Sequence, residues 1–92
     1  MYSVYAIWSK GANRIYVGLS QDPFQRELEH NKGETKSTKG FRPWKLFFIE
    51  TDYQSLSEAR KAEKKLKSGF GKEFLKTLPK DTIKHRSGVA QR

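Results

Sequence analysis

The feature that most constrains this chain is a pair of short β-forming runs separated by a five-residue turn cluster at the N-terminus. From Tyr2 to Trp8 the sequence is dense in aromatic and β-branched residues, with Val4, Ala6 and Trp8 alternating against Ser3, Tyr5 and Ile7. That period of two is a strand with one face set against the other. Ser9-Lys10-Gly11-Ala12-Asn13 supplies turn residues, and Arg14 to Gly18 reads as the returning strand. So short a connection makes the pair an antiparallel hairpin.

The remaining chain must cover that hairpin. Asp22-Pro23-Phe24-Gln25 is a helix start: Asp22 caps, Pro23 suits the first helical position, and Gln25 reaches back as a capping-box partner. The helix is expected to run to about His30 with Phe24 and Leu28 on its buried face. Lys32 to Arg42 (KGETKSTKGFR) contains two glycines, three Ser/Thr and no aliphatic residue, which predicts a mobile basic loop ended by Pro43. Trp44 to Glu50 is the most apolar stretch and predicts a central strand. Ser55-Leu56-Ser57-Glu58 is a second capping box, opening a helix to about Lys67 that Gly69 stops. Gly71 to Leu78 predicts a further short helix, with Phe74, Leu75 and Leu78 inward and Pro79 closing it. Residues 80–92 read as a frayed, polar, basic tail. At 92 residues this is one domain, spanning 1–79, with the order β-β-α-β-α-α of a small α/β layer fold.

Charge then narrows the partner. The chain holds 19 Lys+Arg against 10 Asp+Glu, net +9. Residues 1–31 are neutral, whereas residues 32–92 carry 16 basic and 7 acidic side chains. A solvated lysine face is one reading of such a surface. Segregation this complete favours a polyanion partner, with nucleic acid ahead of an anionic membrane because no wide apolar helix face accompanies the cations. No apolar run reaches the roughly 20 residues needed to span a bilayer, and there is no signal-peptide core. Cysteine is absent, which excludes thiol chemistry and Cys-ligated zinc and fits a cytoplasmic location.

Few residues are left to do chemistry. Two histidines exclude a multi-histidine metal site, and there is no serine-nucleophile elbow and no phosphate-cradling glycine loop before a helix. Tyr5 and Tyr16 lie on adjacent hairpin strands and can share a face, although strand tyrosines are commonly core aromatics. Arg26 and His30, four apart, share a helix face, where Arg26 has an ordinary partner in Glu29 or Asp22. Glu63 is the one acid in Arg60-Lys61-Ala62-Glu63-Lys64-Lys65-Leu66-Lys67 and lies beside the apolar stripe. Its plain partner is Lys67, at (i, i+4); the more pointed one is a divalent cation, since Mg²⁺ commonly uses one or two protein carboxylates.

As an ordered set these residues resemble the GIY-YIG nuclease domain. The resemblance rests on Ser3-Val4-Tyr5, on Tyr16-Val17-Gly18 eleven residues after Tyr5, and on Arg26 and His30-Asn31 beyond it. It continues through Arg42-Pro43-Trp44-Lys45-Leu46 and Glu58-Ala59…Glu63…Leu66-Lys67 to cover about residues 2–78. Ser3 stands where the motif name has Gly, Val4 and Val17 replace Ile, and no Asn follows Asn31 to match a late site asparagine of some members.

The resemblance implies a small three-stranded antiparallel sheet flanked by helices, and Mg²⁺- or Mn²⁺-dependent cleavage of DNA phosphodiesters, with RNA an open alternative. Tyr5 and Tyr16 match the two motif tyrosines, Arg26 the catalytic arginine, Glu63 the metal-binding glutamate, and His30 a histidine functional in some branches. On these roles Glu63 holds the metal, Arg26 takes the non-bridging phosphate oxygens, and Tyr5 or His30 is the base. The backbone grip falls to Lys32, Lys36, Thr38, Lys39, Arg42 and Lys67. The rival readings are an inactive nucleic-acid-binding module of the same fold and a protein–protein adaptor. Whether the chain acts as a monomer or a weak homodimer stays open.

Overall fold

The computed structural model describes residues 1–88. Eight elements follow in order: β1 (Tyr2–Ser9), β2 (Arg14–Ser20), α1 (Pro23–Lys32), α2 (Lys36–Lys39), β3 (Lys45–Tyr53), α3 (Leu56–Lys67), α4 (Gly69–Thr77) and β4 (Lys84–Ser87). The predicted hairpin is present. β1 and β2 pair antiparallel from Ser3↔Ser20 to Ser9↔Arg14, and Asn13, at φ 51°, closes the turn in the left-handed region that Asn tolerates.

The sheet differs from the expected one. It has four strands in the order β2-β1-β3-β4 and is mixed, because β4 runs parallel to β3. The fourth strand comes from the segment read as a frayed tail; residues 89–92 of that segment lie outside the described residues. Lys84-His85-Arg86-Ser87 has no apolar alternation, so periodicity could not reveal it. What holds it is backbone pairing from Phe48↔Lys84 to Thr51↔Ser87 and one buried charge. Glu50, 5% exposed, accepts hydrogen bonds from Arg86 Nε and from the Tyr53 hydroxyl, each at 2.5 Å. A carboxylate buried to this extent needs such partners. Charged side chains on a short edge strand also discourage pairing with another chain.

Two apolar layers form on the two faces of the sheet. Val4, Ala6, Val17, Phe47 and Phe48 pack with Ala59, Leu66 and Leu75 of α3 and α4. Ala6 pairs with Phe48 and Ile7 with Leu46, so Phe47 is an extra residue in β3, and this bulge lets both phenylalanines enter the same core. Each, wholly buried, stabilises the fold by about 1.5–3 kcal/mol. On the other face Tyr5, Ile7, Trp44, Leu46 and Ile49 form the second layer.

Helix α1 crosses that second face, capped as expected by Asp22, which accepts from the Gln25 N–H at 3.1 Å. Its orientation corrects the expectation. Phe24 and Leu28 are 51% and 55% exposed, and the buried positions are Pro23 and His30. Polar anchors set this rotation. Glu27 accepts from the Leu46 N–H at 2.7 Å, and Asn31 clamps both backbone groups of Trp44, donating to its oxygen at 2.8 Å and accepting from its N–H at 2.6 Å. These bonds satisfy buried backbone at the start of β3, which an apolar face could not do. The segment expected to be a mobile loop contains the single turn α2, with Thr38 1% exposed; Pro43 follows a cis bond.

Candidate active site

The hairpin register builds the floor of the site. Tyr5 pairs with Gly18 across the strands, and Tyr16, two residues before Gly18, shares its face. The Tyr5 ring lies directly across Gly18: a Cβ at that position would stand 2.5 Å from the Tyr5 hydroxyl and 2.6 Å from Cζ. Only glycine leaves room for the ring to reach past β2.

Helix α1 supplies the next layer. His30 is fully buried, with Nε2 2.9 Å from the Tyr5 hydroxyl and Nδ1 2.7 Å from Thr38 Oγ1. Tyr16 packs edge-on against the His30 ring at 5.1 Å between centroids and against Trp44 at 6.4 Å. Arg26, one turn before His30, donates to Glu29 Oε1 at 2.5 Å, and its positive charge favours the ionised form of the Tyr5 phenol. Its side chain is 33% exposed, so a forked guanidinium lies at the surface over a tyrosine with no exposure of its own. Of the two plain partners expected for Arg26, Glu29 is the one found.

Glu63 approaches from α3 on the far side of the sheet. Its side chain is 16% exposed and pairs with Lys67 Nζ at 3.4 Å, the plain partner its spacing predicts. Its negative charge nevertheless acts on the Tyr5 hydroxyl. Among the described residues no three His, Cys, Asp or Glu side chains cluster to form a metal cage. A single carboxylate held only by one half-exposed lysine fits a cation that keeps most of its waters and borrows phosphate oxygens, the habit of Mg²⁺.

Electrostatics separate the two buried rings. Burial pushes the Tyr5 phenol up, opposed in part by the nearby Arg26 charge. Burial also pushes the His30 imidazole down, and Arg26 adds to that. His30 is therefore neutral and Tyr5 protonated near pH 7. Glu29, bonded to Arg26, is held below the ordinary carboxylate range.

The structure thus brings Tyr5, Tyr16, Arg26 and His30 into one contact network, with Glu63 at its edge. Of the residues expected to grip a nucleic-acid backbone, Lys32, Lys36, Lys39, Arg42 and Lys67 are exposed. Arg42 folds back over Gly33, donating from Nε to the Lys39 carbonyl oxygen at 2.8 Å. Thr38 is the exception: buried against His30, it is removed from any backbone contact and belongs to the interior of the site. Gly18 and Asn31 act structurally in ways the sequence reading left unassigned. The Tyr–x–Gly spacing on a strand signalled the first; the second stood in the His30-Asn31 pair of the resemblance with no role attached to it.

Among the described residues no helix is long and apolar enough to cross a membrane. Comparison with curated proteins and with solved structures gives no significant match. The family model described as the GIY-YIG catalytic domain matches residues 1–76, most of the 92-residue chain and all five residues of the site. With that match and a hairpin that carries both tyrosines onto one arginine and one histidine, the chain belongs to the GIY-YIG family, whose domains are nucleases.

Proposed function

We propose that this protein is a Mg²⁺- or Mn²⁺-dependent endonuclease that hydrolyses DNA phosphodiester bonds, directed by DNA structure. The observation that carries the reading is the buried Tyr5 hydroxyl, 2.9 Å from Nε2 of buried His30, with the charge of partly exposed Arg26 acting on it from the same helix as His30.

Each group then has a task. Arg26 turns from Glu29 to the non-bridging oxygens of the scissile phosphate, where its fork matches the geometry and its charge meets the charge that builds up. The Tyr5 oxygen takes a proton from the attacking water as its own proton passes to His30 Nε2. Tyr16, partly exposed beside His30, orients the water or phosphate. Glu63 is the residue to hold the metal, which when bound polarises the phosphate and eases departure of the leaving oxygen. Lys32, Lys36, Lys39 and Arg42 lie on the segment whose interior residue, Thr38, touches His30, so they flank the site and suit phosphate contacts.

The test is a cleavage screen over duplex, flap, fork and four-way-junction DNA with Mg²⁺ or Mn²⁺. Cleavage is expected to stop with a chelator and return with either metal. Arg26→Ala is expected to slow it by about 10²–10³-fold, the scale of losing one preorganised charge-stabilising donor. Glu63→Ala is expected to abolish the metal response. Wild-type rates in both variants would remove the site assignment, and salt-sensitive binding without cut products would replace the enzyme by a binding module.

A further inference from the structure

We propose that Thr38 is the positioning residue of this site: it holds His30 in the one tautomer that makes the Tyr5 hydroxyl a donor toward the protein interior and an acceptor toward the substrate. The inference rests on the nuclease reading above for its use, but not for its geometry.

The direction of every proton follows from donor and acceptor capacity. Leaving a buried phenol proton without an acceptor is costly. The Tyr5 proton then needs an acceptor, and Tyr5 has no exposure through which water could serve. The acceptor in reach is His30 Nε2 at 2.9 Å. Nε2 must therefore be bare, and in a neutral imidazole the proton sits on Nδ1. Nδ1 lies 2.7 Å from Thr38 Oγ1, which accepts from it, while the Thr38 hydroxyl donates to the Thr35 carbonyl oxygen at 3.3 Å. The chain Tyr5 → His30 → Thr38 → Thr35 thus runs in one direction without a break. Thr38 is itself fixed: the Trp44 indole Nε1 donates to its carbonyl oxygen at 2.8 Å, and its side chain is 1% exposed.

The groups facing His30 are Tyr5 from β1, Tyr16 from β2, Thr38 from α2, and Arg26 and Glu29 from its own helix. None of the others offers Nδ1 an alternative acceptor. The chemical consequence is a balanced transfer. One water O–H bond breaks and its proton goes to the Tyr5 oxygen. The Tyr5 O–H bond breaks in the same step and its proton goes to His30 Nε2. The water oxygen bonds to phosphorus, and the phosphorus–oxygen bond to the leaving nucleotide breaks. The leaving oxygen takes a proton from solvent, and the imidazolium returns its own through Tyr5 to solvent. The lowered affinity of His30 for a proton keeps it ready as an acceptor and makes that return rapid.

The experiment uses the full chain labelled with ¹⁵N-histidine, without DNA or metal, since His30 and His85 are the only histidines. Wild type is expected to show His30 with the proton on Nδ1 and a bare Nε2. T38V, equal in shape but without an acceptor, is expected to lose that preference, and T38S to keep it. In single-turnover cleavage T38V is expected to be slower by about 10–100-fold at unchanged KM, a loss below the full ~10²–10⁴ of a proton-transfer group, with T38S recovering most of the rate. A wild-type spectrum with the proton on Nε2 overturns the proposal, and decides it alone should T38V not fold. An unchanged tautomer and rate in T38V also overturns it. The expected spectra in a protein that cuts no DNA uphold the tautomer and reject the nuclease reading instead.

Discussion

Replacing Gly18 with alanine tests the whole construction of the site with a single methyl group. The added Cβ would stand 2.5 Å from the Tyr5 hydroxyl, 2.6 Å from Cζ and 2.8 Å from Cε1. Ordinary carbon contact begins near 3.4 Å, so the tyrosine tip must retreat by about 0.9 Å, the scale on which packed interiors resist insertion. It has nowhere easy to go, because the ring is fully buried and tied to His30 at 2.9 Å. A shift of that size away from His30 carries the oxygen beyond hydrogen-bond range. The overpacking costs about 1–3 kcal/mol, and the weakened hydrogen bond about 0.5–1.5 kcal/mol more. Thermal unfolding followed by circular dichroism is expected to fall by about 4–8 °C for each kcal/mol in a domain of this size. Cleavage is expected to drop by about 10²-fold from the misplaced hydroxyl alone. Gly18→Ala that melts with wild type and cuts DNA within threefold of it would refute the claim that the Tyr5 ring needs the bare backbone of β2.

The pH dependence of stability follows from the two buried rings. His30 resists protonation when folded, whereas the unfolded residue takes its proton near pH 6.5, so urea midpoints are expected to fall as pH drops below about 6.5. Tyr5 resists ionisation when folded, so midpoints are also expected to fall as pH rises above about 10; His30→Gln should remove the acid slope, and its persistence would point to another group. Arg86→Ala leaves the Glu50 carboxylate with Tyr53 alone. It is expected to cost about 2–3 kcal/mol by denaturant titration, below the 3–5 of a wholly buried pair because the Arg86 side chain is 28% exposed. Neutralising Lys36 and Lys39 together should weaken binding to all DNA sequences alike and flatten the logarithmic salt slope by about 1 per lysine. An unchanged slope would take this segment out of the footprint.

Local pattern carried much of the fold. The hairpin was legible because alternation at Tyr2–Trp8 and a turn at Ser9–Asn13 leave few alternatives, and from it followed the shared face of Tyr5 and Tyr16. Arg26 and His30 were legible as a pair because four residues make one helical turn, and Glu63 because it is an isolated acid among cations. What stayed hidden depended on long-range polar bonds. Phe24 and Leu28 have inward spacing, yet Glu27 and Asn31 rotate α1 the other way by serving backbone groups at Trp44 and Leu46. Thr38 carries no periodic signal, and its role exists only because α2 folds back onto His30. Strand β4 pairs through its backbone in a parallel register about 36 residues away, and four polar residues give no hint of that.

That last strand bears on how the chain is made. During synthesis the ribosome releases β1 to α4 before Arg86 is available. Until then Glu50 sits at the rim of an incomplete sheet, with Tyr53 as its near partner and no cation to neutralise it. Closing the sheet therefore waits on one arginine: β3 keeps an open edge and Glu50 an unneutralised charge until β4 pairs.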